Sequence, residues 1–191
     1  MNAPTGILVT PHRYRLLVDD FLALNERGAF DEFAKSELID GDVYVMNAQH
    51  AGHARIKSRL ARHIGNLLDD AGSDYDAMVE VTVRTGDDGA PEPDIVVTRW
   101  HEGGIVPVET VALAIEVSDT TLDIDLGRKA RLYAAAGVPE YWVVDTNGRR
   151  TWLHTRPERG EYAVRNEVAF GATLIAATIP GLSLSNPRIF D

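Results

Sequence analysis

Cysteine is absent from the 191-residue sequence, and so is any long apolar run. Without cysteine the chain cannot form a disulfide, use a thiol nucleophile or build a cysteine-ligated zinc cluster. The apolar runs, such as Val111–Ile115, are far too short to span a bilayer. The first residues also lack the basic, apolar and cleavage-site pattern of a signal peptide. These absences predict a soluble cytoplasmic protein with no membrane segment.

Positive charge is scarce, since 19 lysines and arginines face 29 aspartates and glutamates, which gives a formal net charge of -10. Phosphate binding depends mainly on neutralisation by lysine and arginine, so this balance argues against a surface that is basic throughout. The charge is also segregated: residues 19–42 contain eight acids and two bases, whereas residues 49–68 contain four bases and no acid. Local charge is therefore a better guide to partners than the total.

Length and composition bound the organisation of the chain. An apolar share of 45% argues against intrinsic disorder, and 191 residues correspond to about one domain. Residues 1–17, which include Pro4, Gly6 and Pro11, are expected to form a flexible lead-in. A single domain is expected over residues 18–191.

Apolar periodicity and turn residues predict the order of helices and strands. We expect helices at Val18–Arg27, Gln49–Leu68 and Asp125–Ala136, a hairpin around Asp40-Gly41, and strands at Ala77–Arg84, Asp94–Thr98, Val111–Val117 and Tyr141–Asp145. The Asn147-Gly148 pair predicts a second hairpin, which leads into sheet-edge strands at Thr151–His154 and Glu161–Asn166. This order is typical of a mixed α/β domain.

Two acids occupy unusual positions in this pattern. Asp94 begins a strand directly after Pro93, and Glu116 lies near the end of an otherwise apolar strand. An ionised carboxylate in an apolar run is costly unless it is paired or binds a cation. Mg²⁺ is held in proteins by one or two carboxylates, and it polarises phosphoryl oxygens and activates water. The alternative is that each carboxylate caps a turn or pairs with an arginine.

Lys129 lies on the helix that follows the strand of Glu116. If this helix packs over the sheet, the lysine could reach the carboxylates and stabilise charge that develops on a phosphate. The alternative is a solvated lysine, as most helix lysines are. Asp125 is predicted as the N-cap of the helix, and Tyr133 as a packing residue. Either Glu37 or Glu80 could complete a metal shell, and the alternative for each is a surface acid.

Further sequence patterns bear on binding and catalysis. Arg55, Arg59 and Arg62 share one helix face at i, i+4 and i+7, and this stripe could contact phosphates or could simply be solvated. His50 and His53 have a spacing that zinc sites use, but no third ligand is placed nearby. The sequence has no Ser-His-Asp arrangement for nucleophilic catalysis and no glycine-rich phosphate loop.

An ordered set of motifs resembles the Uma family of bacterial restriction endonucleases, within the PD-(D/E)XK nuclease superfamily. The motifs are Pro93-Asp94, Glu116-Val117-Ser118, Asp125-Leu126-Gly127-Arg128-Lys129 and Gly137-Val138-Pro139-Glu140-Tyr141-Trp142-Val143-Val144-Asp145. The resemblance covers about residues 18 to 191 and includes His53-Ala54-Arg55. One departure concerns the lysine expected two residues after the acid, where this chain has Ser118. In this family the lysine has moved to the next helix, which matches Lys129.

The resemblance implies a restriction-endonuclease-like core, which is a central mixed β-sheet flanked by helices, here with a small C-terminal β extension. It implies that Asp94 and Glu116 bind Mg²⁺ or Mn²⁺, with Glu37 as an additional ligand candidate, and that Lys129 completes the catalytic set. The predicted function is that of a metal-dependent DNA endonuclease.

A second hypothesis keeps the fold without turnover: a module that binds nucleic acid or a protein partner, including a second copy of the chain in a homodimer. A glycosidase with paired carboxylates fits less well, since nothing else indicates a sugar cleft.

Overall fold

The computed structural model describes residues 12–99, 102–185 and 190. Its helices are α1 (Val18–Glu26), α2 (Ala51–Asp70), α3 (Leu122–Ile124) and α4 (Ala130–Ala135), and a π-helical turn over Asp125–Lys129 joins the last two. Its strands are β1 (Lys35–Ile39), β2 (Asp42–Met46), β3 (Tyr75–Val79), β4 (Val83–Arg84), β5 (Ile95–Arg99), β6 (Val106–Pro107), β7 (Val111–Ser118), β8 (Glu140–Asp145), β9 (Arg150–Glu158), β10 (Glu161–Ala169), β11 (Leu174–Ile175) and β12 (Ser183–Leu184). No helix among these residues is long and apolar enough to cross a membrane. Residues 1–11 of the predicted lead-in lie outside the described residues.

The centre of the fold is a six-stranded mixed sheet with the strand order β10-β9-β8-β7-β5-β3. β7 and β8 pair in parallel, and the other neighbouring strands of this sheet are antiparallel. Both strands of the parallel pair are buried along their whole length, as expected for central strands that are covered on both faces. The predicted mixed α/β fold is confirmed, and the small β11–β12 pair forms the C-terminal β extension.

Helices cover both faces of this sheet. On one face, Leu60 and Ile64 of α2 pack against side chains that include Ile115. On the other face, Tyr133 of α4 packs against a cluster that includes Ala114. Because side chains alternate along a strand, β7 supplies residues to both cores.

The register of β5 and β7 sets up the functional site. Val96 lies opposite Ala114 in this antiparallel pair, and both side chains belong to the core under α4. Asp94 lies two residues before Val96, just ahead of β5, and Glu116 lies two residues after Ala114, so continuation of this register places them opposite each other on the same face. Two carboxyl groups that are far apart in the sequence therefore become neighbours at one end of the sheet.

The predicted strand Ala77–Arg84 is wrong in its length, because the chain leaves the sheet at Glu80. β3 ends at Val79, and Glu80 has a left-handed backbone with a φ of 51°. The Glu80 amide donates to the carbonyl of Asp94 at 3.4 Å, and its carboxylate pairs with Lys57. These partners are distant in the sequence, so the alternation of side chains along the strand does not reveal the turn.

The predicted N-cap at Asp125 is also wrong. The helix begins at Leu122 after Thr121, and Asp125 lies inside it at the start of the π-helical turn. The Thr121 hydroxyl donates to the Asp125 carboxylate at 2.6 Å, and the Tyr141 hydroxyl donates to the Asp125 carbonyl at 3.0 Å. These hydrogen bonds hold the widened turn in place, and such turns occur frequently at functional sites.

The hairpin at Asn147-Gly148 is confirmed, since this pair lies in the turn between β8 and β9. The prediction that β9 is an edge strand is wrong. β10 folds back on β9 and pairs along most of its length, so β9 lies inside the sheet and β10 forms the edge.

Candidate functional site

Four residues singled out by the sequence meet at one end of the sheet. Lys129 Nζ lies 2.9 Å from Glu116 Oε1 and 2.8 Å from Glu37 Oε2. Asp94 lies beside this group, and its Oδ2 accepts a hydrogen bond from the Val117 amide at 2.8 Å. All four side chains are buried. The fold thus brings together Asp94, Glu116, Lys129 and Glu37.

The helix after β7 adds two groups to this cluster. Asp125 Oδ1 lies 3.9 Å from Lys129 Nζ, and the Tyr133 hydroxyl donates to Glu116 Oε1 at 3.3 Å. Tyr133 does pack in the core, as predicted, but its hydroxyl also contacts the site. The lysine ammonium therefore faces three buried carboxyl groups: Glu37, Glu116 and Asp125.

Glu37 has further partners besides Lys129, one on its own strand and one at Glu92. Its Oε1 accepts a hydrogen bond from the Glu92 amide at 2.8 Å and lies 3.4 Å from Lys35 Nζ. Lys35 in turn donates to the carbonyl of Glu92. With two lysines and one amide around it, Glu37 is arranged to hold Lys129 in place.

The second oxygen of Asp94 faces α2. His53 Nε2 lies 3.2 Å from Asp94 Oδ1, Gln49 Nε2 lies 3.3 Å from it, and Lys57 Nζ lies 3.6 Å from it. Lys57 also donates to Gln49 Oε1 at 2.7 Å and forms an ion pair with Glu80. Asp94 is therefore the point at which the cluster of Lys129 meets a second cluster around Lys57.

Sequence reasoning missed Lys57 and Gln49. The signal was present, because Lys57 falls on the same buried stripe of α2 as Leu60, Ile64 and Leu68. A lysine on a buried helix stripe needs a nearby acid to offset its desolvation. The residue that provides this charge is Glu80, for which the sequence predicts a metal ligand or a surface acid and not a partner of Lys57.

The pKa values of the carboxyl groups in the Lys129 cluster are shifted in different directions. Burial raises the pKa of Glu116 to about 8; Asp125 and Glu37 act in the same direction, whereas Lys129 opposes them. Burial also disfavours the ionised form of Glu37, but the charges of Lys129 and Lys35 outweigh it and lower its pKa. Lys129 and Lys35 thus favour the ionised form of Glu37, whereas burial favours the protonated form of Glu116.

Asp94 and Lys129 are both charged at neutral pH. Burial opposes ionisation of Asp94, but the hydrogen bond from His53 and the positive charge of Lys35 lower its pKa to about 2. Burial disfavours the charged form of Lys129, yet Glu116 and the other carboxyl groups around it raise its pKa. A negative charge on Asp94 and a positive charge on Lys129 therefore line the same cavity.

A cavity of about 620 Å³ opens onto these groups. Its polar lining includes Lys35, Glu37, Gln49, His50, His53, Glu80, Asp94, Glu116, Asp125 and Lys129. The segment from Tyr44 to Ala48, in and after β2, also borders it. Ligands that enter from solvent can therefore reach the carboxyl groups.

The oxygen atoms of Asp94 and Glu116 fit a hard divalent cation. The part of the chain that the structure describes contains no group of three or more histidine, aspartate or glutamate side chains arranged to hold a metal. Mg²⁺ does not need such a cage, because it is usually held by one or two carboxylates and keeps several waters. Glu37 is less suited to this role, since Lys129, Lys35 and the Glu92 amide already engage it.

The arginine stripe of α2 lies apart from the cavity. Arg55 and Arg62 are exposed, Arg59 is half-buried, and none of the three lines the cavity. Their predicted contact with nucleic acid remains a prediction. His50 and His53 both line the cavity, and His53 acts as a partner of Asp94.

The chain is similar to known proteins over nearly its whole length. A model of the Uma2 family, whose description reads "Putative restriction endonuclease", matches residues 18–186. Among solved structures, the chain is similar to a "putative nuclease" of the DUF820 family from Anabaena variabilis, at 20% sequence identity and a TM-score of 0.68. That match covers 92% of this chain and 97% of the other, and at this identity it shows a shared fold. No curated protein matches the chain.

Proposed function

The chain belongs to the Uma2 family, and from this premise we propose that it is a Mg²⁺- or Mn²⁺-dependent nuclease that hydrolyses phosphodiester bonds in DNA. The observation that supports the proposal is that Asp94, Glu116 and Lys129 line one cavity, with Lys129 Nζ 2.9 Å from Glu116 Oε1. A cytoplasmic location and a homodimer remain predictions, and light scattering of the purified protein tests the dimer.

Asp94 and Glu116 are the residues that would hold the cation. When bound, such an ion polarises a phosphoryl oxygen and lowers the pKa of a coordinated water. The protein contributes the orientation of its ligands. The Val117 amide fixes one oxygen of Asp94, and His53 and Gln49 fix the other.

Lys129 supplies a positive charge that is in place before the substrate arrives. During hydrolysis the water oxygen attaches to phosphorus, one phosphorus–oxygen bond to a sugar breaks, and that sugar oxygen takes a proton. Negative charge develops on the phosphate during this exchange, and a preorganised cation stabilises it without reorganisation. Glu37 keeps the ammonium in position, because its own lysine and amide contacts prevent it from turning away.

The test is cleavage of plasmid and labelled oligonucleotide DNA by the pure protein with Mg²⁺, with Mn²⁺ and with EDTA. We expect cleavage only with the divalent ions and its loss in Asp94→Asn and Glu116→Gln. The matched control is Asp76→Asn, an exposed aspartate on β3, which should retain full activity. Unchanged cleavage by Asp94→Asn would refute the assignment.

A catalytically silent module is the second candidate, and one observation favours it. Lys129 already pairs with Glu116, so the lysine neutralises a carboxyl group that a cation would need. Calorimetric titration with Mg²⁺ and Mn²⁺ separates the candidates. Binding that disappears in Asp94→Asn supports the nuclease, whereas no ion binding together with tight DNA or protein binding supports the module.

A further inference from the structure

The reacting groups are almost completely buried. Asp94 is 3% exposed, and Glu116 and Lys129 are each 4% exposed. They are reached through the cavity of about 620 Å³, a volume in the range of sites that enclose small molecules. The major groove of a DNA duplex is about 12 Å wide by itself. A regular duplex therefore does not fit inside a cavity of this volume, whereas one nucleotide does.

The hairpin of β1 and β2 gives the cavity one largely apolar wall. Tyr44, Val45 and Met46 border the cavity from β2, and Ile124 borders it from α3. Tyr44 and Met46 lie opposite Glu37 and Lys35 in the hairpin, so their side chains share the face that carries these two cavity residues. Apolar and aromatic side chains of this kind suit the flat face of an unstacked base.

The cavity has too few positively charged side chains to bind more than a few phosphates. Among its described lining residues the lysines are Lys35 and Lys129, and both are in ion pairs with Glu37. No arginine occurs in that described lining. Arg128, beside the hairpin, is bound to Asp42 and to the Tyr44 hydroxyl. A protein that tracks a duplex instead needs many lysine and arginine contacts along both backbones.

We propose that the substrate is an unpaired DNA strand, either single-stranded DNA or the unpaired arm of a fork, with one nucleotide inside the cavity. The base of that nucleotide lies against the wall of Tyr44 and Met46, and its phosphate lies at Asp94, Glu116 and Lys129. The inference rests on the proposed nuclease function and adds the class of DNA that the site accepts.

The test uses one labelled 30-nucleotide sequence as a single strand, as a blunt duplex and as a fork with unpaired arms. Cleavage is measured with Mn²⁺, and binding is measured in parallel by fluorescence anisotropy with Ca²⁺. We expect the single strand to be cut at least about ten-fold faster and bound more tightly than the duplex, and the fork to be cut only in its arms. A duplex that is cut or bound as well as the single strand would overturn the inference.

The two measurements separate failure of the inference from failure of the proposed function. If the duplex is preferred in both assays, the protein is a nuclease but the inference is wrong. If no DNA is cut, the nuclease proposal fails, and the binding preference alone decides whether the cavity takes an unpaired strand.

A variant of the wall locates the contact. Met46→Ala removes apolar surface next to the base, and we expect a rise of about five- to ten-fold in KM for the single strand. The matched control is Val79→Ala, an apolar side chain on β3 that is 46% exposed and does not line the cavity. Equal KM values for both variants would show that the base lies elsewhere and would overturn this placement.

Discussion

Two lysines in this site are each placed between carboxylates, but their partners differ in burial. Lys129 faces Glu37, Glu116 and Asp125, all of which are buried.

Lys57 pairs with Glu80, whose side chain is 45% exposed on a left-handed turn. Its other contacts are Gln49 and Asp94. The first lysine is fixed by its surroundings and faces the cavity. The second lies behind Gln49 and Glu80, and it orients Asp94 from outside the cavity.

The comparison shows that the two lysine clusters at one end of the sheet have different roles. The Lys129 cluster keeps a positive charge in place for a reacting phosphate, at the cost of several buried charges. The Lys57 cluster holds a ligand carboxylate from behind, and its partners can turn toward water. Loss of the first lysine should therefore damage both stability and catalysis, whereas loss of the second should mainly reduce catalysis.

The largest effect is expected from Lys129→Gln. It leaves Glu37 ionised in a buried place without its main partner, and we expect cleavage to disappear and the free energy of unfolding to fall by about 3–5 kcal/mol. Cleavage assays and chemical denaturation measure both quantities. Arg131→Gln, an exposed change on the same helix, is the control. Native stability in Lys129→Gln would contradict the role given to this cluster.

An intermediate effect is expected from Lys57→Met. Asp94 keeps its hydrogen bond from Val117 but loses the support of Lys57, so we expect activity or Mn²⁺ affinity to fall about 10- to 100-fold. Calorimetric Mn²⁺ titration and kcat are the readouts, and Lys57→Arg should recover part of the loss. A loss of stability equal to that of Lys129→Gln would remove the distinction between the clusters.

A smaller effect is expected from Glu80→Gln. The ion pair it removes is partly exposed, so its contribution to the free energy of unfolding is less than about 1 kcal/mol. The matched change Glu37→Gln removes a buried partner of Lys129 and should cost about 2–3 kcal/mol. Urea denaturation of both variants compares them directly, and equal losses would show that exposure is not what separates the clusters.

The smallest effect concerns pH and a group outside both clusters. His154 is buried beside Tyr141 and Tyr162, and burial lowers its pKa to about 4 from an ordinary value of 6.5. The unfolded chain therefore binds the proton first, and stability is lost as the pH falls below about 6.5.

Comparison with His154→Phe isolates this contribution from those of the two clusters. Between pH 7 and pH 6 the native protein should lose less than about 1 kcal/mol relative to that variant. Parallel denaturation curves at the two pH values provide the measurement, and identical pH slopes would contradict it.

Much of the fold could be predicted because it depends on local patterns. The continuous apolar run of β7 predicts a strand buried on both faces, and Asp40-Gly41 predicts the first hairpin. The turn at Glu80 and the helix start before Asp125 could not be predicted in this way. Both depend on contacts with residues that approach only in the folded chain, such as Lys57 and Tyr141.

The candidate site divides in the same way. Asp94 and Glu116 are conspicuous in the sequence because a carboxylate in or beside an apolar strand requires a partner. The role of Lys57 could not be predicted from the sequence. It lies among apolar residues of α2, and a helix pattern alone does not show which acid will face it. The pairing of Lys57 with Glu80 is decided by how α2 lies across the end of the sheet.

The π-helical turn between α3 and α4 makes the site sensitive to the number of residues in this region. It contains one residue more than an α-helical turn, and each residue of an α-helix advances by about 100° around the axis. The additional residue therefore sets the angle around the helix axis between Asp125 and the buried face of α4. Deletion of Gly127 would rotate the two parts of the helix relative to each other by about that angle. The direction of the Lys129 side chain thus depends on the number of residues in the π-helical turn as well as on their identity.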